Sequence, residues 1–450
     1  MRIVVVGNGV AGMEAAQAAR RQLPTATISV VSEESDHFFS RTALMYVLSG
    51  QLSHAATEPL ERDAYARLGL TRVRARAAGL DPARRQLLLT GADPLPYDRL
   101  ILAPGSRARP APWPGADLPG VGSFVTLQDL AWLEEELAPP KTTDRPPNEW
   151  AHLGSGASDS PYRRRPSAAH ARGRRAERPV VIGGGLIGVE VVEAMLALGR
   201  RPTFLIRDDW FWPIALDAQE AGWVADELRA HGVDARTGTE VSALEGGPSG
   251  VERVVTNKGT IEADLVVVAI GVVPNTAWLG GVVPTDRGGG LLVDASLRTA
   301  VDDVWACGDA ASVPMPDGSH RTEPLWYTAR AQGRIAGRNA SSPDAPAPYA
   351  RGTWYNSAKL MDIEYTTAGQ LDGDVWRFEE TGAVRSSTRI AHREGRVVGF
   401  NFLGRRWDHS VCARWIEEGR PLRYVVDHLR QAAFDTEFVP PLVVPNDRRP

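Results

Sequence analysis

The chain has 450 residues, more than one hydrophobic core can organise, so two or three domains are expected. Its hydrophobic content of 43% and charged content of 24% are those of an ordinary globular protein. A formal net charge of −4 excludes a global positive field, and with it nucleic acid as the main partner.

The chain opens on Ile3–Val6, a β-branched run expected to form a buried parallel strand. The apolar run breaks at Gly7, too soon for a signal peptide or a membrane span, and no later segment approaches 18 unbroken apolar residues. A soluble, cytoplasmic protein is the expectation. Gly7, Gly9 and Gly12 follow in GxGxxG spacing, and Met13–Arg20 reads as an alanine-rich helix. Gly7 permits a tight turn, Gly9 lets the backbone approach a pyrophosphate, and Gly12 lets helix and strand pack closely. The helix N-terminus then offers unpaired N–H groups and a positive dipole end to the phosphates. A second strand, Thr27–Val31, runs into Ser32, Glu33 and Glu34. Glu33 lies 21 residues beyond Gly12, where a carboxylate can accept the ribose hydroxyls; Glu34 takes that place if the strand ends one residue later.

Tyr97–Arg107 reads as a strand ending in Ala103-Pro104-Gly105-Ser106. Residues 138–178 are rich in Pro, Ser, Gly and Arg and lack apolar periodicity, so a disordered insert is expected there. Its basic stretches, Arg163–Arg165 and Arg172–Arg178, are either a docking site for an acidic redox partner or simply solvated.

The fingerprint then recurs. Pro179–Ile182 reads as a strand, Gly183, Gly185 and Gly188 repeat the spacing, and Glu190–Leu198 continues as a helix that stops at Gly199. After the next strand, Thr203–Ile206, the expected ribose carboxylate is displaced, and Arg207 stands in its neighbourhood. An arginine there can receive the 2′-phosphate of NADPH, whereas Asp208 or Asp209 would suit the ribose of NADH; NADPH is slightly favoured. Two such fingerprints in one chain allow two dinucleotides to exchange a hydride, with the cofactors carrying the chemistry.

Further along, Leu265–Asn275 and Val304–Ala311 each run from a strand into small residues, the second through Gly308-Asp309. Only two cysteines occur, Cys307 and Cys412, with no CxxC and no metal-ligand spacing, so neither a metal nor a disulfide framework is expected.

This ordered set resembles the FAD- and NAD(P)-dependent pyridine nucleotide–disulfide oxidoreductase superfamily over roughly residues 1–340. The similarity is greatest to its NADH oxidases, rubredoxin and ferredoxin reductases, and nitrite reductase flavoproteins. The resemblance implies an α/β fold with two Rossmann-like domains and a C-terminal α+β domain. FAD would occupy residues 1–113 with 286–340, and NAD(P) residues 114–285. Residues 349–450 would form the third domain, a dimer interface in many relatives.

It also implies roles for single residues. Gly308 and Asp309 would bind the flavin's ribityl or phosphate portion, with Ala103, Gly105 and Ser106 beside FAD. Gly271 and Pro274 would lie by the nicotinamide nucleotide, and Glu190 close to where nicotinamide meets flavin. The helix Pro324–Asn339 would run beneath the isoalloxazine, making Trp326 and Gln332 flavin contacts. Ser40-Arg41 matches the pattern of the ferredoxin-reductase branch, with Arg41 near the pyrophosphate or the flavin edge. Thr42 stands where relatives with a single redox cysteine carry it, and Tyr46 where some carry a lysine paired with the equivalent of Glu190. The expected function is therefore an FAD-dependent NAD(P)H oxidoreductase that passes electrons to oxygen, a quinone or a small redox protein without a protein thiol. The alternatives are a disulfide reductase working through substrate thiols, or a flavin-binding sensor with little turnover.

Overall fold

A computed structural model describes residues 1–137, 176–380, 385–434 and 442–450; up to residue 175 the expected insert lies outside the described residues. The chain divides into two compact units. The first comprises Met1–Val180, Ala197–Arg200 and Val241–Tyr349, and the second Val181–Leu196, Arg201–Glu240 and Ala350–Pro450. Residues 241–285, expected with the second nucleotide domain, fall in the first unit by this division.

The first unit is built on a five-stranded parallel sheet in the order Val304–Ala306, Arg99–Leu102, Arg2–Val6, Thr27–Ser32, Leu70–Arg74. Ile3, Val4, Val5, Ile28, Leu100, Ile101 and Leu102 are all buried, as expected of β-branched and leucine runs covered on both faces. The strand Arg2–Val6 sits in the middle and delivers the chain to the helix Val10–Gln22.

That helix packs against a second one, Trp326–Ser341, which carries small residues on the shared face. A methyl group at Gly333 would lie 2.3 Å from the Ala11 carbonyl oxygen, and one at Gly337 2.2 Å from that of Ala15. The two backbones touch because no side chain separates them. Glu14 fastens the outer edge of the pair through ion pairs to Arg330 at 2.9 Å and Arg334 at 2.8 Å.

The second unit holds the helix Leu186–Ala197, the parallel strands Thr203–Leu205 and Asp234–Arg236, and the helix Ala218–Ala230. Asp217 caps the last of these, accepting hydrogen bonds from the backbone N–H groups of Gln219 and Glu220. Beyond them lies a five-stranded antiparallel sheet, in the order Tyr355–Leu360, Ile363–Gly369, Arg396–Leu403, Ser386–Arg393, Asp374–Glu380. The helices His409–Glu417 and Leu422–His428 join it in a core containing Phe400, Phe402, Trp407 and Trp415. The α+β character expected of this region is present. The strand Asp374–Glu380 was not expected, because Asp, Arg and two Glu dilute its alternation. The fully buried Glu220 ties the helix Ala218–Ala230 to this sheet, accepting hydrogen bonds from Arg389, Ser387 and Asn401.

The helix contact in the first unit gives a direct test. Gly337→Ala inserts a methyl group against a backbone that cannot rotate away, so unfolding in urea should show a loss of about 1–3 kcal/mol. Ala340→Gly, which creates no such clash, should cost about 1–2 kcal/mol, from helix propensity and from the buried methyl group it removes.

Candidate functional site

The first glycine fingerprint forms three kinds of surface. Gly7 has φ +106°, and a Cβ there would lie 1.9 Å from the carbonyl oxygen of Ala103. A Cβ on Gly12 would lie 2.0 Å from the Gly7 carbonyl oxygen, so helix and turn are in contact. Gly9 between them faces nothing within 4 Å. It is also the N-cap of the helix, with no side chain capping the helix and no acidic residue in the first turn. The N–H groups of that turn therefore border an open cradle, the geometry a diphosphate needs.

The second fingerprint repeats this arrangement in the other unit. Gly183 has φ +125°, and its N–H donates to the Leu205 carbonyl, as the Gly7 N–H does to Val31. A Cβ on Gly188 would lie 2.0 Å from the Gly183 carbonyl oxygen, whereas Gly185 faces nothing within 4 Å. Each expected glycine holds the steric position its spacing implied.

Around the first cradle the structure gathers residues far apart in sequence. Asp309 follows Gly308, which has φ +73°, and accepts a 2.7 Å hydrogen bond from the Ser106 hydroxyl. Burial pushes the Asp309 carboxyl up, while Ser106 and the nearby Arg41 oppose that rise. Gln332 is fully buried; its side-chain oxygen accepts from the Gly308 N–H at 2.8 Å, and its Nε2 has no partner among the described residues. Trp326 begins the helix Trp326–Ser341 with its indole N–H buried and likewise unpartnered, and Arg330 lies over its ring. Gly105 has φ +70° beside Ser106. Orphaned buried donors and an open phosphate cradle are what a polar cofactor such as FAD would complete.

The two acids after Thr27–Ser32 separate in role. Glu34 is committed: Arg41 grips it with two nitrogens at 2.9 and 2.6 Å, and the Leu127 N–H donates to it at 3.0 Å. Glu33 is half-buried, and burial raises its carboxyl, with Arg76 working against that rise. Arg41 also donates to the Val125 carbonyl, so its charge is compensated by Glu34 rather than left free beside a cofactor. The sequence held no sign of this pairing beyond the presence of both residues.

In the second unit, Glu190 lies on the helix that follows Gly188 and makes no hydrogen bond or ion pair among the described residues. Burial, with the charge of Glu193 adding to it, pushes its carboxyl up to about 7. Arg207 is largely exposed, 3.4 Å from Asp208, at the end of Thr203–Leu205. In the first unit, Gly271 has φ +98°, with its carbonyl accepting from the Arg109 N–H.

Both cysteines are free and buried. Burial raises the Cys307 thiol to about 12 and also drives Cys412 up, so neither is a thiolate near neutral pH. Thr42, expected at the redox-cysteine position, has its hydroxyl 3.1 Å from that of Ser40. Among the described residues, no helix is long and apolar enough to cross a membrane.

The model of the pyridine nucleotide-disulphide oxidoreductase family matches residues 1–333. The chain is 29% identical over 360 residues to the biphenyl dioxygenase system ferredoxin–NAD(+) reductase component of Paraburkholderia xenovorans, covering 78% of each chain. It is 32% identical over 322 residues to the rhodocoxin reductase of Rhodococcus erythropolis, covering 70% of this chain and 66% of that protein. Among solved structures, the covalent putidaredoxin reductase–putidaredoxin complex aligns with a TM-score of 0.75 at 21% identity, over 94% of both chains. The water-forming NADH oxidase from Lactobacillus brevis aligns equally well at 22% identity, over 99% of this chain and 94% of that one. The chain belongs to the pyridine nucleotide-disulphide oxidoreductase family and is an FAD-dependent NAD(P)H oxidoreductase.

If electrons bypass the protein's thiols, removing them changes little. The double variant Cys307→Ala, Cys412→Ala should keep kcat within about twofold of the wild type with any acceptor the enzyme uses, at a stability loss of about 1–3 kcal/mol. Steady-state kinetics and thermal unfolding would separate the two effects.

Proposed function

We propose that this chain is a reductase of a small iron–sulfur redox protein, oxidising NAD(P)H at the second fingerprint and binding FAD at the first. The want of a usable thiol supports this reading: Thr42 stands where the resemblance expects a redox cysteine, and burial pushes the thiols of both cysteines up. The relatives named as ferredoxin and rhodocoxin reductases support it. The likeness to an NADH oxidase makes dioxygen the second acceptor to consider.

When bound, FAD takes two electrons from NAD(P)H and releases them singly or in pairs. The chain's residues bind and orient it. Gly7, Gly9 and Gly12 cradle the diphosphate, Glu33 receives the ribose hydroxyls, and Asp309, held by Ser106, anchors the ribityl portion. Ala103, Gly105 and Gly308 bring backbone close, and Trp326 closes one side. Arg41, paired with Glu34, acts by placing the loop that carries it. Gly183, Gly185, Gly188 and Gly271 hold the nicotinamide nucleotide, Glu190 borders its reactive end, and Arg207 meets the 2′-phosphate of NADPH. FAD domain 1–113 with 286–340, nucleotide domain 114–285, and a homodimer formed through 349–450 in a cytoplasmic setting complete the reading.

Anaerobic mixing with NADH or NADPH should bleach the flavin within seconds, and a [2Fe–2S] ferredoxin should restore it faster than air, quinones or CoA disulfide. Slow bleaching with both nucleotides would favour a sensor, and preferential reoxidation by disulfide a disulfide reductase. Glu33→Ala and Asp309→Ala should each lower the FAD content of the purified protein at least threefold; full occupancy in both would overturn the placement of FAD. Arg207→Ala should raise KM for NADPH about tenfold, the loss of one charged hydrogen bond, and move KM for NADH less than twofold.

A further inference from the structure

Residues 206–217 join the strand Thr203–Leu205 to the helix Ala218–Ala230, and the middle of that loop is strained. Trp212 sits in the left-handed region at φ +51°, a conformation that costs free energy for a residue with a large side chain. Its backbone closes a tight turn there: the Trp212 carbonyl accepts from the N–H groups of Ala215 and Leu216, each at 3.1 Å. The turn puts Pro213 and Ile214 into solvent, with Ile214 83% exposed, while Phe211 and Trp212 are buried.

The antiparallel sheet holds this conformation in place. The Trp212 ring meets the Tyr365 ring edge-on, with centroids 4.9 Å apart. Tyr365 is fixed in turn: its hydroxyl donates to the Asn401 side-chain oxygen at 3.0 Å, and the Asn401 amide donates to the buried Glu220 at 3.2 Å. Arg389 makes a second attachment, its Nη2 donating to the Ala215 carbonyl at 2.6 Å and to Glu220 at 2.7 Å. Phe211 lies against Phe204 of the strand, with centroids 6.4 Å apart. Nearer its start, the loop is tied by the Asp208 carbonyl, which accepts from the Gly238 N–H at 2.8 Å.

We propose that Trp212, Tyr365 and Arg389 are positioning residues for coenzyme selection: by fastening the loop to the antiparallel sheet they fix Arg207, at its start, for the 2′-phosphate of NADP(H). The inference rests on the reading that Arg207 meets that phosphate. The Arg207 side chain is 76% exposed, so its direction comes from the backbone that carries it. A guanidinium on an undocked loop has more freedom to lose on meeting a phosphate and binds it more weakly; a loop fastened during folding leaves less to lose. NAD(H) has no 2′-phosphate and is indifferent to this. The sheet thus sets the ratio of the two affinities, acting through Arg207.

The test measures the dissociation constants of NADP⁺ and NAD⁺ for the FAD-loaded protein by calorimetry. Trp212→Gly removes the ring and the strain together, and Tyr365→Leu removes the ring it meets. Each should weaken NADP⁺ about fivefold, the scale of one long side chain's ordering entropy, and NAD⁺ less than about twofold. Tyr365→Phe, which keeps the ring contact, should leave the ratio of the two constants within about twofold of the wild type. Trp212→Gly in an Arg207→Ala background should change the ratio no further. A merely structural role would lower the melting temperature and shift both constants alike. In the unaltered protein the Ala215 and Leu216 amides should be protected from hydrogen exchange. An unchanged ratio in both Trp212→Gly and Tyr365→Leu, a further change in the Arg207→Ala background, or unprotected amides would overturn the inference. If Arg207→Ala alone leaves the ratio unchanged, the reading of Arg207 at the 2′-phosphate falls instead.

Discussion

Backbone meets backbone at Gly12, Gly188, Gly333 and Gly337, among other glycines, and much of the rest depends on that contact. At Gly12 and Gly188 a methyl group would lie 2.0 Å from a carbonyl oxygen of the preceding turn, and at Gly333 and Gly337 it would enter the facing helix. The first two contacts draw a helix N-terminus over the end of its strand. The other two hold the first of these helices from behind. With the helices so placed, Gly9 and Gly185 are left facing open space beside unpaired N–H groups, where an anion is welcome. The proposed cofactor sites arise here from side chains that are missing.

Charge is distributed so that cations near the sites are already engaged. Arg41 is held by Glu34, Arg330 and Arg334 by Glu14, and Lys359 by Glu193. These pairs place loops and helices, and their partners limit how much free positive charge a bound dinucleotide meets. Attraction for the phosphates then falls to backbone N–H groups and helix dipoles, which act over short distances and do not titrate. Glu190 is the exception, an acid with no ion pair among the described residues, whose carboxyl burial and the charge of Glu193 push up to about 7.

The cysteines give the same conclusion from the opposite direction. A thiol that must relay electrons has to reach its thiolate form, and burial denies this to both Cys307 and Cys412. The family's name refers to disulfide chemistry, but both cysteines of this chain are free and buried. The proposed route takes electrons from the flavin without passing through a protein sulfur.

The glycine spacings and the strand-to-helix order were legible in the amino-acid sequence, because each follows from local geometry over a dozen residues; the missing redox cysteine was an expectation that came from the family resemblance. Gly7, Gly9 and Gly12, and again Gly183, Gly185 and Gly188, could be assigned separate steric tasks before any fold was known. Tertiary structure alone decided which distant groups meet. Nothing in the sequence joins Ser106 to Asp309, Gln332 to Gly308, or Lys359 to Glu193, since each partner comes from a different part of the chain. Nor could it tell Glu33 from Glu34, adjacent acids at the end of one strand, until Arg41 and Leu127 engaged the second. Motifs are written in short-range sterics, whereas protonation and charge pairing depend on neighbours that only folding supplies.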